Sequence, residues 1–156
     1  MRTDPVAIDF MTEADLDAAR AIDDAAFPSD AQAQDRTVRK QSLRDELTRP
    51  FARARVARRD SCEVLGYSLS WHVTDEIYLL HVAVAAHARR RGIGRALMND
   101  LLTYAHENGK IRISLEVRKS NFVAIALYES LGFSAFNVRK GYYANGEDAI
   151  EMMRVD

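Results

Sequence analysis

Residues 77–84 read Ile-Tyr-Leu-Leu-His-Val-Ala-Val, an apolar run broken by a single histidine. It is far shorter than the roughly 20 residues a membrane helix needs. With no polar alternation, it reads as a central strand covered on both faces. The next segment narrows the choice further. Beyond Ala85-Ala86-His87-Ala88 comes Arg89-Arg90-Arg91-Gly92-Ile93-Gly94-Arg95, and Ile93, Ala96, Leu97, Leu101 and Ala105 then trace one helix face. Asn108-Gly109 supplies the left-handed stop of that helix. A buried strand running through a glycine loop into an amphipathic helix commits the chain to an α/β architecture.

The remaining segments fit around that unit. Val6–Phe10 reads as a short first strand, and Thr12 caps a helix carrying Leu16, Ala19, Ile22 and Ala26. That helix should stop at Phe27-Pro28, because a residue before proline leaves helical geometry. A polar loop at 30–34 and a second helix at about 36–48, ending before Pro50, come next. The runs 52–59 and 64–73 read as strands separated by the polar Arg59-Asp60-Ser61 break. Ile111–Val117 alternates strictly, apolar at odd numbers and polar at even ones, and is a strand. Asn121 caps a helix with inner face Ala124, Leu127, Tyr128 and Leu131, and Gly132 ends it. Residues 133–139 and 147–154 form a terminal strand pair around Gly141–Gly146. The expectation is one domain, residues 1–156, with helices flanking a mixed, mainly antiparallel sheet.

Charge and cysteine content remove several function classes. With 22 basic and 23 acidic residues the net charge is −1, so no broad basic surface exists for a nucleic acid. The arginines are nevertheless clustered, at Arg53, Arg55, Arg58 and Arg59 and again at Arg89–Arg91. Local basic clusters in a neutral chain suit a small phosphate-bearing ligand better than a polyanion. Cys62 is the sole cysteine, which excludes an internal disulfide and a multi-cysteine zinc site. His72, His87 and His106 lack metal-ligand spacing, so no metal is expected. The N-terminal residues lack the apolar stretch of a signal peptide, and no membrane-length run occurs, so a cytoplasmic protein is expected.

The 89–95 loop has the makings of an anion cradle. Backbone N–H groups and the helix dipole at a helix start attract phosphate oxygens. Gly92 and Gly94 remove the Cβ atoms that would keep a pyrophosphate from the main chain. The pattern is not a phosphate-binding Walker loop, since no Gly-Lys-Ser/Thr comes after it. Nor is it the dinucleotide fingerprint, since Leu97 stands where a third small residue belongs. Taken alone, these residues equally describe a glycine-rich helix start with solvated arginines.

In its order of strand, (Gln/Arg)-x-x-Gly-x-Gly loop and helix, then strand, Asn and helix, the chain resembles the GNAT acetyltransferase superfamily. More narrowly, Leu115-Glu116-Val117-Arg118, Ser120-Asn121, the stretch from Ala124 to Phe133 and Tyr142-Tyr143 resemble the RimI group of ribosomal-protein alanine N-acetyltransferases. The resemblance is close from about Asp75 to Met153. Before that Phe27-Pro28 is the only landmark, the family's following Trp is absent, and Ala85-Ala86 replaces its usual Asp-Pro. These departures bear on the substrate more than on the cofactor. The resemblance implies a GNAT fold, with a splayed central strand pair and about four helices, and acetyl-CoA as cosubstrate. It implies that Val82, Ala83 and Val84 lend strand backbone to the pantetheine arm. Arg90, Arg91, Gly92, Ile93, Gly94 and Arg95 would then surround the pyrophosphate, and Asn121 would hydrogen-bond the cofactor where the strands part.

Acetyl transfer to an amine needs a neutral nucleophile, a stabilised carbonyl oxygen and a protonated leaving thiolate. An α-amine of pKa about 7.7–8.0 is roughly a tenth neutral at pH 7, whereas a lysine near 10.4 is almost wholly charged. An N-terminal amine therefore asks for only modest base assistance. By periodicity alone Glu116 is a solvated strand residue and Tyr128 a core tyrosine; the resemblance implies instead that Glu116 is the base and Tyr128 the acid. His81, in the central strand, is a rival base whose bland alternative is a packed core histidine. Tyr142 and Tyr143 read as hairpin aromatics, and the resemblance implies that with Phe27 they wall a peptide groove. Acidic Glu46, Glu76, Glu147 and Asp148 could attract a basic peptide or simply face solvent.

The implied function is acetylation of a protein N-terminus, with the N-terminal alanine of a small-subunit ribosomal protein as substrate, and no nucleic-acid or membrane partner. The alternatives are acetylation of other N-termini, lysines or small amines, or a non-catalytic acetyl-CoA-binding module.

Overall fold

The computed structural model describes residues 5–27, 43–59 and 63–156. The expected loop at 30–34, the first half of the helix expected at 36–48, Pro28, Asp60-Ser61 and Cys62 lie outside them. In chain order the elements are β1 (Ala7–Phe10), a 3-10 turn (Glu13–Asp15), α1 (Leu16–Ala26), a helical stretch at 43–46, β2 (Ala52–Arg58), β3 (Val64–Val73) and β4 (Glu76–Val84). A second 3-10 turn (Ala86–Ala88) leads to α2 (Ile93–Glu107), β5 (Arg112–Arg118), α3 (Phe122–Ser130), β6 (Ser134–Arg139) and β7 (Ala149–Val155). No helix among the described residues is long and apolar enough to cross a membrane.

Seven strands form one sheet in the order β1-β2-β3-β4-β5-β7-β6. Only β4 and β5 run parallel; every other neighbouring pair is antiparallel. That parallel step is forced by α2, which carries the chain back across the sheet before β5 begins. The mixed, mainly antiparallel sheet and its four flanking helical segments match the expected α/β class.

Adjacent residues on β3 reveal the two layers. Tyr67 donates to Asp23 on α1 (2.6 Å), whereas a Cβ on Gly66 would point at Ile93 and Leu97 of α2. α1 and α2 therefore cover opposite faces. α3 shares the α2 face, since Tyr128 packs in one cluster with Met98, Leu101, Leu115 and Met152. The entry to α1 is fixed by the Thr12 N–H donating to the Asp15 carboxylate (2.9 Å), with Arg58 donating to the same carboxylate from β2 (2.6 Å). Burial works against that charge, but the Arg58 and Thr12 hydrogen bonds hold the Asp15 carboxyl below its ordinary value.

Two expectations need correction. Up to Leu80, β4 is covered on one face, not both: Ile77 and Leu79 are buried, while Tyr78 and Leu80 are 43% and 37% exposed; only beyond it, where Ala83 is buried, are both faces covered. The outward face is apolar because it floors a groove, a role that periodicity cannot distinguish from burial. The arginines of β2 are likewise not held open for a ligand. Arg53 and Arg55 both donate to Asp100 on α2 (3.2 and 3.1 Å), Arg58 pairs with Asp15, and Arg59 donates to the Arg91 carbonyl (3.3 Å). Their cluster ties sheet to helices, because buried guanidinium groups need fixed acceptors.

Candidate active site

The parallel ladder between β4 and β5 holds from Glu76–Arg112 to Leu79–Leu115 and then ends. Beyond it the strands splay. The cause lies in β4, where pairing with β3 jumps from Ser70–Leu79 to Leu69–His81 and leaves Leu80 as a bulge. A bulge bends its strand and exchanges the faces of the residues beyond it. Leu79 faces α2, but His81 and Ala83 beyond the bulge face α1, beside Asp23, Phe27 and Tyr67.

Past the splay, β4 keeps β3 on one side and has no strand on the other among the described residues. The Ala85 N–H donates to the Leu65 carbonyl (2.8 Å), so by strand alternation Ala83 also turns its N–H and C=O toward β3. Val82 and Val84 direct theirs into the splay. Sequence placed all three on this strand; the register separates them.

A groove of about 470 Å³ opens at the splay, lined by Phe27, His81, Val82, Glu116, Asn121, Tyr128, Tyr142 and Tyr143 among others. Eight residues anticipated from sequence thus meet in one place. Glu116 shares its strand face with Tyr78, on the α1 side, since Leu115 and Val117 between them are buried on the other. Tyr128 approaches from α3 on the opposite side of the sheet. A carboxylate and a phenol from opposite faces can meet only where the sheet has parted.

Tyr128 is 8% exposed, its ring packs on Phe133, and its hydroxyl has no hydrogen bond to another described residue. Burial pushes its phenol up to about 12. Asn121 accepts the Ala124 N–H (3.2 Å) through its side-chain oxygen, capping α3 as expected, and lines the groove. Tyr142 and Tyr143 meet edge to face (5.2 Å), and Arg118 lies over the Tyr143 ring at 3.9 Å. The Tyr142 phenol is held above its ordinary value first by its hydrogen bond to Glu116, then by burial.

The arginine loop lies outside this groove, at the far end of the exposed β4 edge. Arg90 and Gly92 are both left-handed, with φ of 64° and 78°. Gly92 occupies the N-cap of α2 and offers no side chain to the helix start, so the N–H groups of Ile93, Gly94 and Arg95 have no cap. A Cβ on Gly92 would meet nothing within 4 Å, so the space beside the helix start is open at that position. Arg89, Arg90 and Arg91 are exposed, while Arg95 donates to Ser130 (3.0 Å). Uncapped N–H groups, adjacent guanidinium groups and a free strand edge leading to the groove fit the phosphate and pantetheine parts of coenzyme A.

His81 stands 3.9 Å from Asp23 and 6.0 Å (ring centroid) from Phe27, more exposed than a core histidine. The acids suspected of attracting a basic peptide have other partners: Glu46 accepts from Trp71 and Arg49, Glu76 from Arg112, Glu147 from Arg118, and Asp148 from Lys140. Sequence reasoning passed over Arg139 and Glu151, which also line the groove. Their only signal was position, a charged residue on each terminal strand.

A sheet splayed at a bulged strand, with an uncapped glycine helix start at one end, defines the class of acyl-CoA-handling α/β proteins. The acetyltransferase (GNAT) family matches residues 16–133, and the chain belongs to that family. It is 45% identical over 89 residues to the ribosomal protein bS18-alanine N-acetyltransferase of Salmonella typhimurium, covering 55% of this chain and 60% of that protein. It is 35% identical over 107 residues to a putative enzyme of the same name from Bacillus subtilis, covering 68% and 70%. The crystal structure of the Escherichia coli ribosomal-protein alanine N-acetyltransferase superposes with a TM-score of 0.83, at 31% identity, over 97% of this chain and 94% of that one. The match to the Salmonella enzyme thus spans less than two thirds of that protein's length.

Proposed function

We propose that this chain transfers the acetyl group of acetyl-CoA to a protein N-terminal amine, and that its substrate is the N-terminal alanine of a small-subunit ribosomal protein. The observation that carries this reading is the splay beyond Leu79–Leu115, which brings Glu116 and Tyr128 to one groove from opposite faces of the sheet. The names of the relatives supply the substrate.

Bound acetyl-CoA supplies an acyl group on a good thiol leaving group. Arg90, Arg91 and Arg95, with the N–H groups at 93–95, hold the pyrophosphate at the start of α2. Val82 and Val84 pair with the pantetheine amides as an added strand would, while Ala83 keeps that edge attached to β3. Asn121 offers its amide NH₂ from across the splay. Phe27, Tyr142 and Tyr143 wall the other side and fix the first residues of the incoming peptide.

Glu116 takes the proton that the amine sheds as its nitrogen bonds to the acetyl carbon, directly or through one water. Tyr128 attends the sulfur as the carbon–sulfur bond breaks. With its phenol at about 12, against roughly 8.5 for a thiol, complete proton transfer to the thiolate lies uphill by roughly 5 kcal/mol. Tyr128 therefore acts first as a hydrogen-bond donor to the developing thiolate, and the proton follows as product departs.

The test is free-thiol release from acetyl-CoA with a hexapeptide beginning Ala-Arg, followed by mass spectrometry of the product. One added acetyl group on the α-amine is expected. Faster turnover of lysine or spermidine than of every peptide α-amine would overturn the N-terminal assignment. Coenzyme A binding without thiol release from any amine would leave a binding module.

A further inference from the structure

The groove holds a second carboxylate that the transfer chemistry does not use. Glu151 on β7 is paired directly across the ladder from Glu116 on β5, so the two side chains stand on the same face. Glu151 is 8% exposed. Like charges in opposite positions repel, and a carboxylate buried that deeply needs a cation. Arg139 provides it: its Nε hydrogen-bonds Glu151 and lies 3.6 Å from the Glu116 carboxylate. Asn137 approaches the second oxygen of Glu151 (3.5 Å).

Regular strand geometry would not bring these groups together. On β6, pairing with β7 steps from Ala135–Met152 to Asn137–Glu151, so Phe136 is a bulge. Ala135 follows Met152 toward the core face. Past the bulge, Asn137 and Arg139 turn to the groove face instead, and Phe136 is left half exposed on the groove wall. One extra residue thus aims a guanidinium between two carboxylates.

Resting on the acetyltransferase reading, we infer that Arg139 is a positioning residue for the base, anchored by buried Glu151 so that the same Nε, 3.6 Å from Glu116, holds that carboxylate toward the splay. Tyr142 flanks the pair from the hairpin, lining the same groove as Glu116, with its ring 5.5 Å from the Arg139 guanidinium. Glu151 touches neither substrate nor cofactor in this arrangement; it acts through Arg139.

The experiment compares the wild type with R139K, R139M and the paired variant R139M/E151Q, in thermal stability and in steady-state kinetics with an alanyl peptide. R139M strands Glu151 and loses stability. R139M/E151Q removes the charges together and recovers that stability, yet kcat stays about 10–100-fold low, with KM for acetyl-CoA within about twofold, because Glu116 is left unheld. R139K recovers part of the turnover. Wild-type turnover in R139M/E151Q would reduce the triad to a structural ion pair and overturn this inference alone. A wild-type protein inactive on every amine would overturn the acetyltransferase reading and this inference with it.

Discussion

The proposed chemistry rests on a few side chains whose surroundings differ sharply. Glu116 sits on an open strand face beside Arg139 and Tyr142, whereas Tyr128 is buried and its phenol lies at about 12. E116Q and Y128F should each lower kcat by about a hundredfold or more while leaving acetyl-CoA affinity within a factor of about two. Calorimetry with coenzyme A beside thiol-release kinetics separates these effects. Unchanged turnover would remove the residue from its role. A second residue-scale prediction concerns His72, which lies against Tyr104 and accepts or donates with Ser70 (3.1 Å), its other ring nitrogen buried without a partner. Burial, then the charges of Arg53 and Lys110, lower its pKa to about 4 from 6.5. The folded value is the depressed one, so between these two values the unfolded chain binds a proton that the folded chain refuses. The stability His72 contributes is complete above pH 6.5 and is lost as pH falls through 4. Urea unfolding across that window should show declining stability, and His72→Gln should flatten the slope.

The elements work through close approach and interruption. Gly66 lets the start of α2 lie on β3, since a Cβ there would sit 2.9 Å from the Ala83 carbonyl, 3.0 Å from Ile93 and 3.3 Å from Leu97. The Ala83 carbonyl is backbone and cannot yield. G66A should cost about 1–3 kcal/mol by overpacking, and it should weaken coenzyme A binding because Ile93 carries the cradle. Chemical denaturation and calorimetry on the same variant test both halves; lost stability with full affinity would detach the cradle from this contact. Much at this scale was legible in the sequence. Alternation from Arg112 to Val117 (Ile111 lies outside the strand, half exposed), the α2 face from Ile93 to Ala105 and the Asn121 cap all appear where expected, because each is a local pattern. The bulges at Leu80 and Phe136 were not legible. A register shift leaves no mark on composition or period, yet one turns His81 toward α1 and the other turns Arg139 toward Glu116.

At the scale of the whole molecule, the sheet joins the two proposed binding arms at one gap. The first runs from the uncapped start of α2 along the free edge of β4; the second runs between Phe27 and the Tyr142–Tyr143 hairpin. Motif order in the sequence indicated the first arm. The second was named residue by residue, but its convergence on Glu116 needed the parallel step between β4 and β5, a pairing between segments far apart in the chain. The β2 arginines show the reverse case, in which clustering in sequence suggested a ligand and the structure supplies Asp100 and Asp15 instead. The central claim is that cofactor and peptide arms meet at the splay, and it is tested most directly by the affinity of a conjugate joining coenzyme A through an acetyl bridge to the amine of an alanyl peptide. If the arms converge, the conjugate binds at least about a hundredfold more tightly than coenzyme A alone, and E116Q retains that affinity. A conjugate that binds no better than coenzyme A would mean that the peptide does not lie in the groove beside Glu116.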